Sequence, residues 1–327
     1  MIEHLVFSGG GIVGFVYLGI MEYLLFHGHV DLSTIKTYHG TSIGTLCCVL
    51  FAMDYTVEEI KEYVVNYNWA KLFDFNISTI IEALRVGGMF SMDKIQKAFG
   101  PFLYGKDMTF NTTLQEFYNV TQKEVHFYMT NLTTFDLVDV SHKTHPDWTI
   151  IEAIYGSSAI PIVFQPLKKD DQYYIDGAIF ANYPMKQCLD YDYDPSTVLG
   201  MVLLFDMEKN SANRKQNSEY LLVDYLVELL FKSWYRISYD KWVKDPTIEN
   251  QYGAYMELSY SSISLALNSK QERERLIVKG VGIGAEVIEG KIQSQLDDVS
   301  KDSDASKDSD ASKDSDTNSK DVFDELL

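Results

Sequence analysis

Seven residues, Tyr38-His39-Gly40-Thr41-Ser42-Ile43-Gly44, constrain this chain more than any others. The stretch before them, Ile35-Lys36-Thr37-Tyr38, is short and β-compatible, and the one after, Thr45 to Met53, is an uncharged run long enough for a buried helix. A strand that turns sharply into a helix brings backbone against backbone. Glycines two residues either side of the tip remove the Cβ atoms that would collide, and the tip residue takes a strained conformation. Gly40-x-Ser42-x-Gly44 therefore reads as a nucleophile elbow, with the Ser42 hydroxyl standing clear at the top of a sheet. Three fixed letters also occur in ordinary glycine-flanked turns, so the rest of the chain must decide between the two.

A second strand-turn-helix unit precedes the first. Residues 4 to 8 read as a strand, followed by Gly9-Gly10-Gly11-Ile12-Val13-Gly14 and an apolar helix to about Phe26. Such a turn directs amide donors above the sheet, at the partially positive end of a helix, and suits an anion. Gly9-x-Gly11-x-x-Gly14 also fits a dinucleotide fingerprint, with Asp31 as the ribose-binding acid. A Walker loop is excluded because no Gly-Lys-Ser/Thr follows.

Further on, Thr56-Val57-Glu58-Glu59 is a capping box that opens a helix with Ile60, Val64 and Tyr67 on one face. Helices are expected over Thr79–Val86, over Ser91–Phe102 with Ser91 as N-cap, from a cap in Thr112-Thr113-Leu114-Gln115, and over Trp148–Tyr155, the last ended by Gly156-Ser157-Ser158. Residues 124–131 and 136–140 read as a strand pair. Tyr173-Tyr174-Ile175 makes a short strand that Asp176 ends, just before Gly177 and Ala178, where small residues permit close approach. An Asp-Gly pair is equally the start of a common turn. The apolar run 198–205 reads as a strand buried on both faces that closes the sheet. Ser211–Ser218 is loop-like, and Tyr220–Phe231 reads as a helix whose apolar face could touch lipid or simply join the core.

From residue 297 the apolar residues disappear. Lys-Asp-Ser-Asp-Ala-Ser stands at 301 and 307, with a degraded copy at 313, so 297–327 is expected to be a disordered acidic tail. The expected organisation is a catalytic domain over 1–205, a mainly helical extension packed on it over 206–296, and the tail. The net charge is −19, and it stays at −12 without the tail, which argues against a nucleic acid partner. No basic segment precedes the first strand, and glycines interrupt the apolar run 5–21. With three cysteines, Cys47, Cys48 and Cys188, the expectation is an intracellular, soluble, reduced protein that can touch a membrane from outside.

A hydrolytic serine needs a general base and donors for the oxyanion. No histidine follows His145, and His39, His126, His142 and His145 stand in no supporting motif. A serine and an aspartate are left. Gly9–Gly14, Gly40–Gly44 and Asp176-Gly177-Ala178 in this order, together with Thr130–Thr134 and Ser157-Ser158-Ala159-Ile160-Pro161, resemble the patatin-like phospholipases over roughly residues 4 to 205.

The resemblance implies a three-layer α/β/α sandwich with a mostly parallel sheet, and a Ser-Asp dyad that cleaves glycerolipid esters without metal or cofactor. Ser42 would be the nucleophile and Asp176 the proton acceptor. The oxyanion hole would come from Gly9, Gly10, Gly11, Ile12 and Gly14, the elbow from Gly40 and Gly44, and Gly177 and Ala178 would flank the base. The implied partner is a phospholipid or lysophospholipid. Val13 departs from the Arg or Lys common at that position. Two other readings remain at this stage: a dinucleotide-binding module on Gly9–Gly14, and a catalytically silent lipid-binding scaffold.

Overall fold

In a computed structural model, residues 1–73, 83–205, 225–226, 229, 232–233, 248–256 and 260–311 are described. The expected helix at Thr79–Val86 is helical over 83–86, and the rest of it lies outside the described residues, as do the expected loop Ser211–Ser218 and most of Tyr220–Phe231.

The sheet grows outward from β1 (His4–Phe7), whose four residues are all buried. On one side β2 (Thr37–Gly40) and then β4 (Glu124–Asn131) run parallel to it; β3 (Gly88–Phe90) belongs to a separate two-stranded sheet. On the other side come β9 (Val198–Phe205) and β10 (Gln251–Met256), also parallel. The run 198–205 thus does not close the sheet. Residues 251–256 pair along it and supply the edge, while its burial on both faces comes from the layers packed above and below the sheet. Three antiparallel strands complete the sheet: β5 (Asp136–Val140), β7 (Leu167–Lys169) and β8 (Gln172–Asp176). β6 (Ile162–Phe164) pairs with β3.

Alternate residues of β1 face opposite layers. Phe7 packs against Tyr17 of α1 (Val16–Phe26) and Phe51 of α2 (Ile43–Ala52), the two helices that follow the glycine turns. Val6, on the other face, packs with Tyr183, Met185 and Cys188 at the helix Met185–Leu189. Helices therefore cover both faces of a mostly parallel sheet, giving the α/β/α sandwich. The uncharged sequence of α2 has its reason here, since eight of its ten residues are buried.

Local signals hold the helix starts. Capping boxes at Thr56–Glu59, Thr113–Glu116 and Thr149–Glu152 each satisfy amides that a helix leaves open. Ser91 is not such a cap: the helix begins at Asp93, and the Ser91 hydroxyl bonds the Asp93 carboxylate instead. The helix Ile150–Ser158 also runs past Tyr155, because Ser157 bonds the Tyr128 carbonyl of β4 at 2.7 Å and stays in register with the sheet.

One compact unit extends over Met1–Gly284, and β10 and the helix Tyr260–Asn268, from the expected extension, belong to it. Buried Arg273 donates to the Val65 carbonyl at the end of the helix Val57–Asn66 and to the Ala266 and Leu267 carbonyls, joining two walls of the cavity described below. The helix beginning at Lys270 is continuous to Ala311. Residues 297–311 of the expected tail fall within this helix. Residues 312–327 lie outside the described residues.

Candidate active site

Two strands meet end to end along one edge of β4. β2 runs parallel to it and ends with Gly40 opposite Phe127, while β8 runs antiparallel and ends with Asp176 opposite Met129. β5 occupies the other edge of β4 from Phe127 to Asn131, so β2 and β8 must share the remaining one. Their ends face each other across a single residue of β4, Tyr128. The chain leaves β2 into the elbow and leaves β8 into Gly177-Ala178, which brings Ser42 to Asp176.

The elbow has the geometry its glycines imply. Ser42 sits at φ 55°, ψ −124°, a strained conformation for a residue with a side chain that costs about 1–3 kcal/mol. A Cβ on Gly44 would lie 2.4 Å from the Phe7 carbonyl oxygen, and one on Gly40 2.7 Å from the Thr45 nitrogen. The Ser42 N–H donates to the Ser157 carbonyl at 3.1 Å and to its hydroxyl at 3.2 Å, and the Thr41 hydroxyl donates to the Ala181 carbonyl at 2.6 Å. These bonds hold the strained turn in place.

Asp176 is 1% exposed. Its N–H donates to the Ala159 carbonyl at 3.0 Å, and Oδ1 accepts the Ala178 N–H at 2.9 Å. Burial pushes the carboxyl up to about 7, against the opposing hydrogen bonds from the Ala178 amide and the Ser42 hydroxyl. The ordinary value would make it a poor base; here it is matched to neutral pH. Gly177 passes so close to β4 that a Cβ would lie 2.4 Å from the Tyr128 carbonyl oxygen.

The histidines are elsewhere. His39 is buried on the face that Val6 shares, stacked on His126 with ring centres 4.3 Å apart, and bonded to Tyr128. His142 stacks on Tyr118, and His145 lies edge-on to Trp148.

The first glycine turn lies beside the elbow. Gly11, at φ +59°, Ile12 and Gly14 line the same cavity as Ser42, and Gly14 packs on Ile43. Gly10 stands against Leu203 as the residue that caps this turn of helix. Gly9 departs from the expected oxyanion hole: its N–H is already bonded to the Asn182 carbonyl at 2.9 Å. The cavity holds about 420 Å³. It follows one face of α2, through Ser42, Ile43, Leu46, Cys47 and Leu50, and is otherwise walled by apolar side chains such as Phe15, Phe99, Phe102 and Leu267. Among the described residues no three His, Cys, Asp or Glu side chains are grouped to hold a metal, and no helix is long and apolar enough to cross a membrane.

A model of the patatin-like phospholipase family matches residues 5–189. The chain belongs to the patatin-like phospholipase family. A relative from Invertebrate iridescent virus 6, "Probable lipid hydrolase 463L", is 29% identical over 189 residues, which cover 57% of this chain and 63% of the relative. The chain thus spans under two thirds of that protein. An uncharacterised protein, R571, of Acanthamoeba polyphaga mimivirus is 24% identical over 275 residues, 83% of this chain and 89% of its own length. The structure of VipD from Legionella pneumophila shares the fold at TM-score 0.55 and 16% identity, covering 88% of this chain and 67% of VipD.

This patatin-like chain corrects the dinucleotide reading. A ribose-binding acid belongs after β2, level with the glycine turn. Asp31 instead precedes β2, at the opposite end of the parallel strands, where it caps a short turn through Ser33. Val13 is buried, so no charge stands in place of the family's Arg or Lys. Sequence reasoning missed three polar residues around the dyad: Ser157, Ser158 and Asn182. The first two stood in a stretch already noted for its resemblance, but with no role attached. Asn182 carried no signal, since only the fold places it over Gly9, with neither amide atom partnered.

Proposed function

We propose that this patatin-like protein is a lipid acyl hydrolase, cleaving carboxylic esters of glycerolipids in lipid catabolism. Ser42 is the nucleophile and Asp176 the proton acceptor. One observation carries the reading: a serine on a strained elbow touches a buried carboxyl held near pH 7, at the head of an apolar cavity.

The chemistry follows from that arrangement. As Ser42 Oγ attacks the ester carbon, its proton passes to Asp176 and the carbonyl oxygen gains charge. The amides of Gly10, Gly11 and Ile12 would receive that charge; losing one such donor typically costs about 10²–10³ in rate. The tetrahedral species collapses to an acyl-serine, and the leaving alcohol takes the proton from Asp176. Water then repeats the sequence and frees the acid.

The cavity suits the acyl chain. The stretch of α2 from Ser42 to Leu50 spans roughly 12 Å, close to the ~15 Å depth of one hydrocarbon leaflet. A phospholipid or lysophospholipid can place one chain there, with its head group outside and the protein in passing contact with the lipid surface. The viral relative described as a probable lipid hydrolase agrees with this substrate class.

The test is covalent labelling of the purified protein with a fluorophosphonate, mapped by mass spectrometry, alongside fatty acid release from phospholipid and lysophospholipid. Labelling is expected on the Ser42 peptide alone, and Ser42→Ala should lose both label and hydrolysis. A Ser42→Ala protein that still releases fatty acid at the parent rate would overturn the mechanism. Intact protein that neither labels nor hydrolyses would favour the silent scaffold.

A further inference from the structure

The segment Ser157-Ser158-Ala159 links the two halves of the dyad. The Ser157 carbonyl accepts from the Ser42 N–H at 3.1 Å, and the Ala159 carbonyl accepts from the Asp176 N–H at 3.0 Å. Ser158 lies between them and lines the cavity. Its hydroxyl is buried and has no hydrogen-bond partner. Other polar groups of the cavity wall are paired: the Trp69 indole N–H donates to the Val64 carbonyl, and the Asn268 amide donates to the Ser264 carbonyl. A buried hydroxyl without a partner costs about 1–3 kcal/mol. A group that gains its partner only when substrate is present offsets that cost during the reaction.

Two oxygens need a partner beside Asp176 and Ser42. In the first step it is the oxygen of the leaving alcohol, which must receive a proton from Asp176. In the second it is the oxygen of the attacking water, which must give one to Asp176. The second step is the first reversed with water in place of the alcohol, so both oxygens occupy one position next to the base. The apolar wall can hold the carbon part of an alcohol. Among the described residues of that wall, the Ser158 hydroxyl is an unpartnered group that can bond a water molecule.

Building on the Ser42–Asp176 reading, we propose that the Ser158 hydroxyl turns into the cavity, hydrogen-bonds the oxygen at this position and so sets how the acyl-enzyme divides between water and alcohol acceptors. With water, the new bond joins its oxygen to the acyl carbon. One proton goes to Asp176, the bond to Ser42 Oγ breaks, and the proton returns to Ser42, releasing a carboxylic acid. With an alcohol the same transfers release an ester. Removing the Ser158 hydroxyl penalises water more, because an alcohol keeps its carbon contacts.

The experiment uses a p-nitrophenyl acyl ester in buffer with glycerol as the competing acceptor, and compares the parent protein with Ser158→Ala, Ser158→Thr and Ser158→Val. Two quantities are read: the pre-steady-state burst of nitrophenol, and the ratio of glyceryl ester to free fatty acid. That ratio does not depend on how much protein is folded. The alanine variant is expected to slow deacylation and raise the ratio roughly tenfold, the loss of one hydrogen bond. Threonine should restore the parent ratio; valine, of the same shape without the hydroxyl, should not. An unchanged ratio in both the alanine and valine variants, with hydrolysis intact in the parent, removes the role of Ser158 and leaves the dyad standing. A parent protein giving neither burst nor fatty acid removes both.

Discussion

The protein buries two polar clusters around the same strand, β4, and treats them in opposite ways. On the face of the sheet that packs against Met185–Leu189, the His126 ring nitrogens lie 2.9 Å from Glu124 and 2.9 Å from Asp139. Lys143 pairs with Glu124 at 2.7 Å, and the Tyr191 hydroxyl donates to Asp139 at 2.8 Å. Burial would lower His126, but its bonds to Asp139 and Glu124 reverse that and hold it above its usual value. Glu124, which burial would raise, is held at about 2 by His126 and Lys143. Every charge there has an opposite charge beside it. At the dyad, Asp176 has no cation, only an amide and a hydroxyl, and its proton leaves near 7. Three buried polar atoms nearby, in Ser158 and Asn182, have no partner at all. The satisfied cluster holds β4 and β5 together; the unsatisfied one is where the proposed reaction would take place.

Asp176→Asn is the largest intervention in that contrast. It should reduce ester hydrolysis at least 10³-fold while raising Tm, since it removes a charge that burial opposes. Folded Asp176 keeps its proton at a pH where the unfolded chain has lost it, so stability is highest below the ordinary 3.8 and falls as pH rises to about 7. The gap in Tm between variant and parent should widen over that window. A variant less stable than the parent at pH 8 would mean that Asp176 is not a strained carboxyl.

His126→Leu tests the other cluster. With Glu124 and Asp139 left facing no imidazolium, it should cost about 3 kcal/mol in chemical denaturation. Activity per folded molecule should change little; a loss matching that of Asp176→Asn would erase the distinction between the clusters. The parent kcat/KM sharpens it further. It should fall tenfold per pH unit below about 7, as Asp176 takes up its proton. A flat profile down to pH 5 would contradict the raised carboxyl. The smallest effect belongs to the cavity: Leu50→Trp, at the far end of the α2 wall, should shift preference towards shorter acyl chains by about tenfold, read from competing esters.

Much of the site was legible because its signals are local. Gly40, Ser42 and Gly44 declare a strained elbow wherever they lie between a strand and an apolar run, and Asp176-Gly177 marks a carboxylate at a strand end. The oxyanion loop was legible in part: the glycines located the turn, but only the contact with Asn182 shows that the Gly9 amide is taken. β10 was missed because Gln251-Tyr252-Gly253-Ala254-Tyr255-Met256 has weak strand character and depends on pairing with β9. The capping box at Thr56–Glu59 was readable to the residue, but that at Thr113–Glu116 was read one residue early, at Thr112–Gln115, and that at Thr149–Glu152 was not read at all. The end of Ile150–Ser158 was read too early, since a glycine and two serines stop a helix in isolation but continue one when β4 holds them.

The amino-acid order alone determined the strand-turn-helix units, the serine at the tip of one of them and the family to which they point, because each rests on backbone sterics over a few neighbouring residues. The tertiary structure decided that Ser42 and Asp176 meet, that burial raises the carboxyl, and that Ser158 and Asn182 stand beside them. Those properties depend on which distant strand ends share an edge of β4 and on how completely water is kept away, and neither quantity is stored in any short stretch of chain.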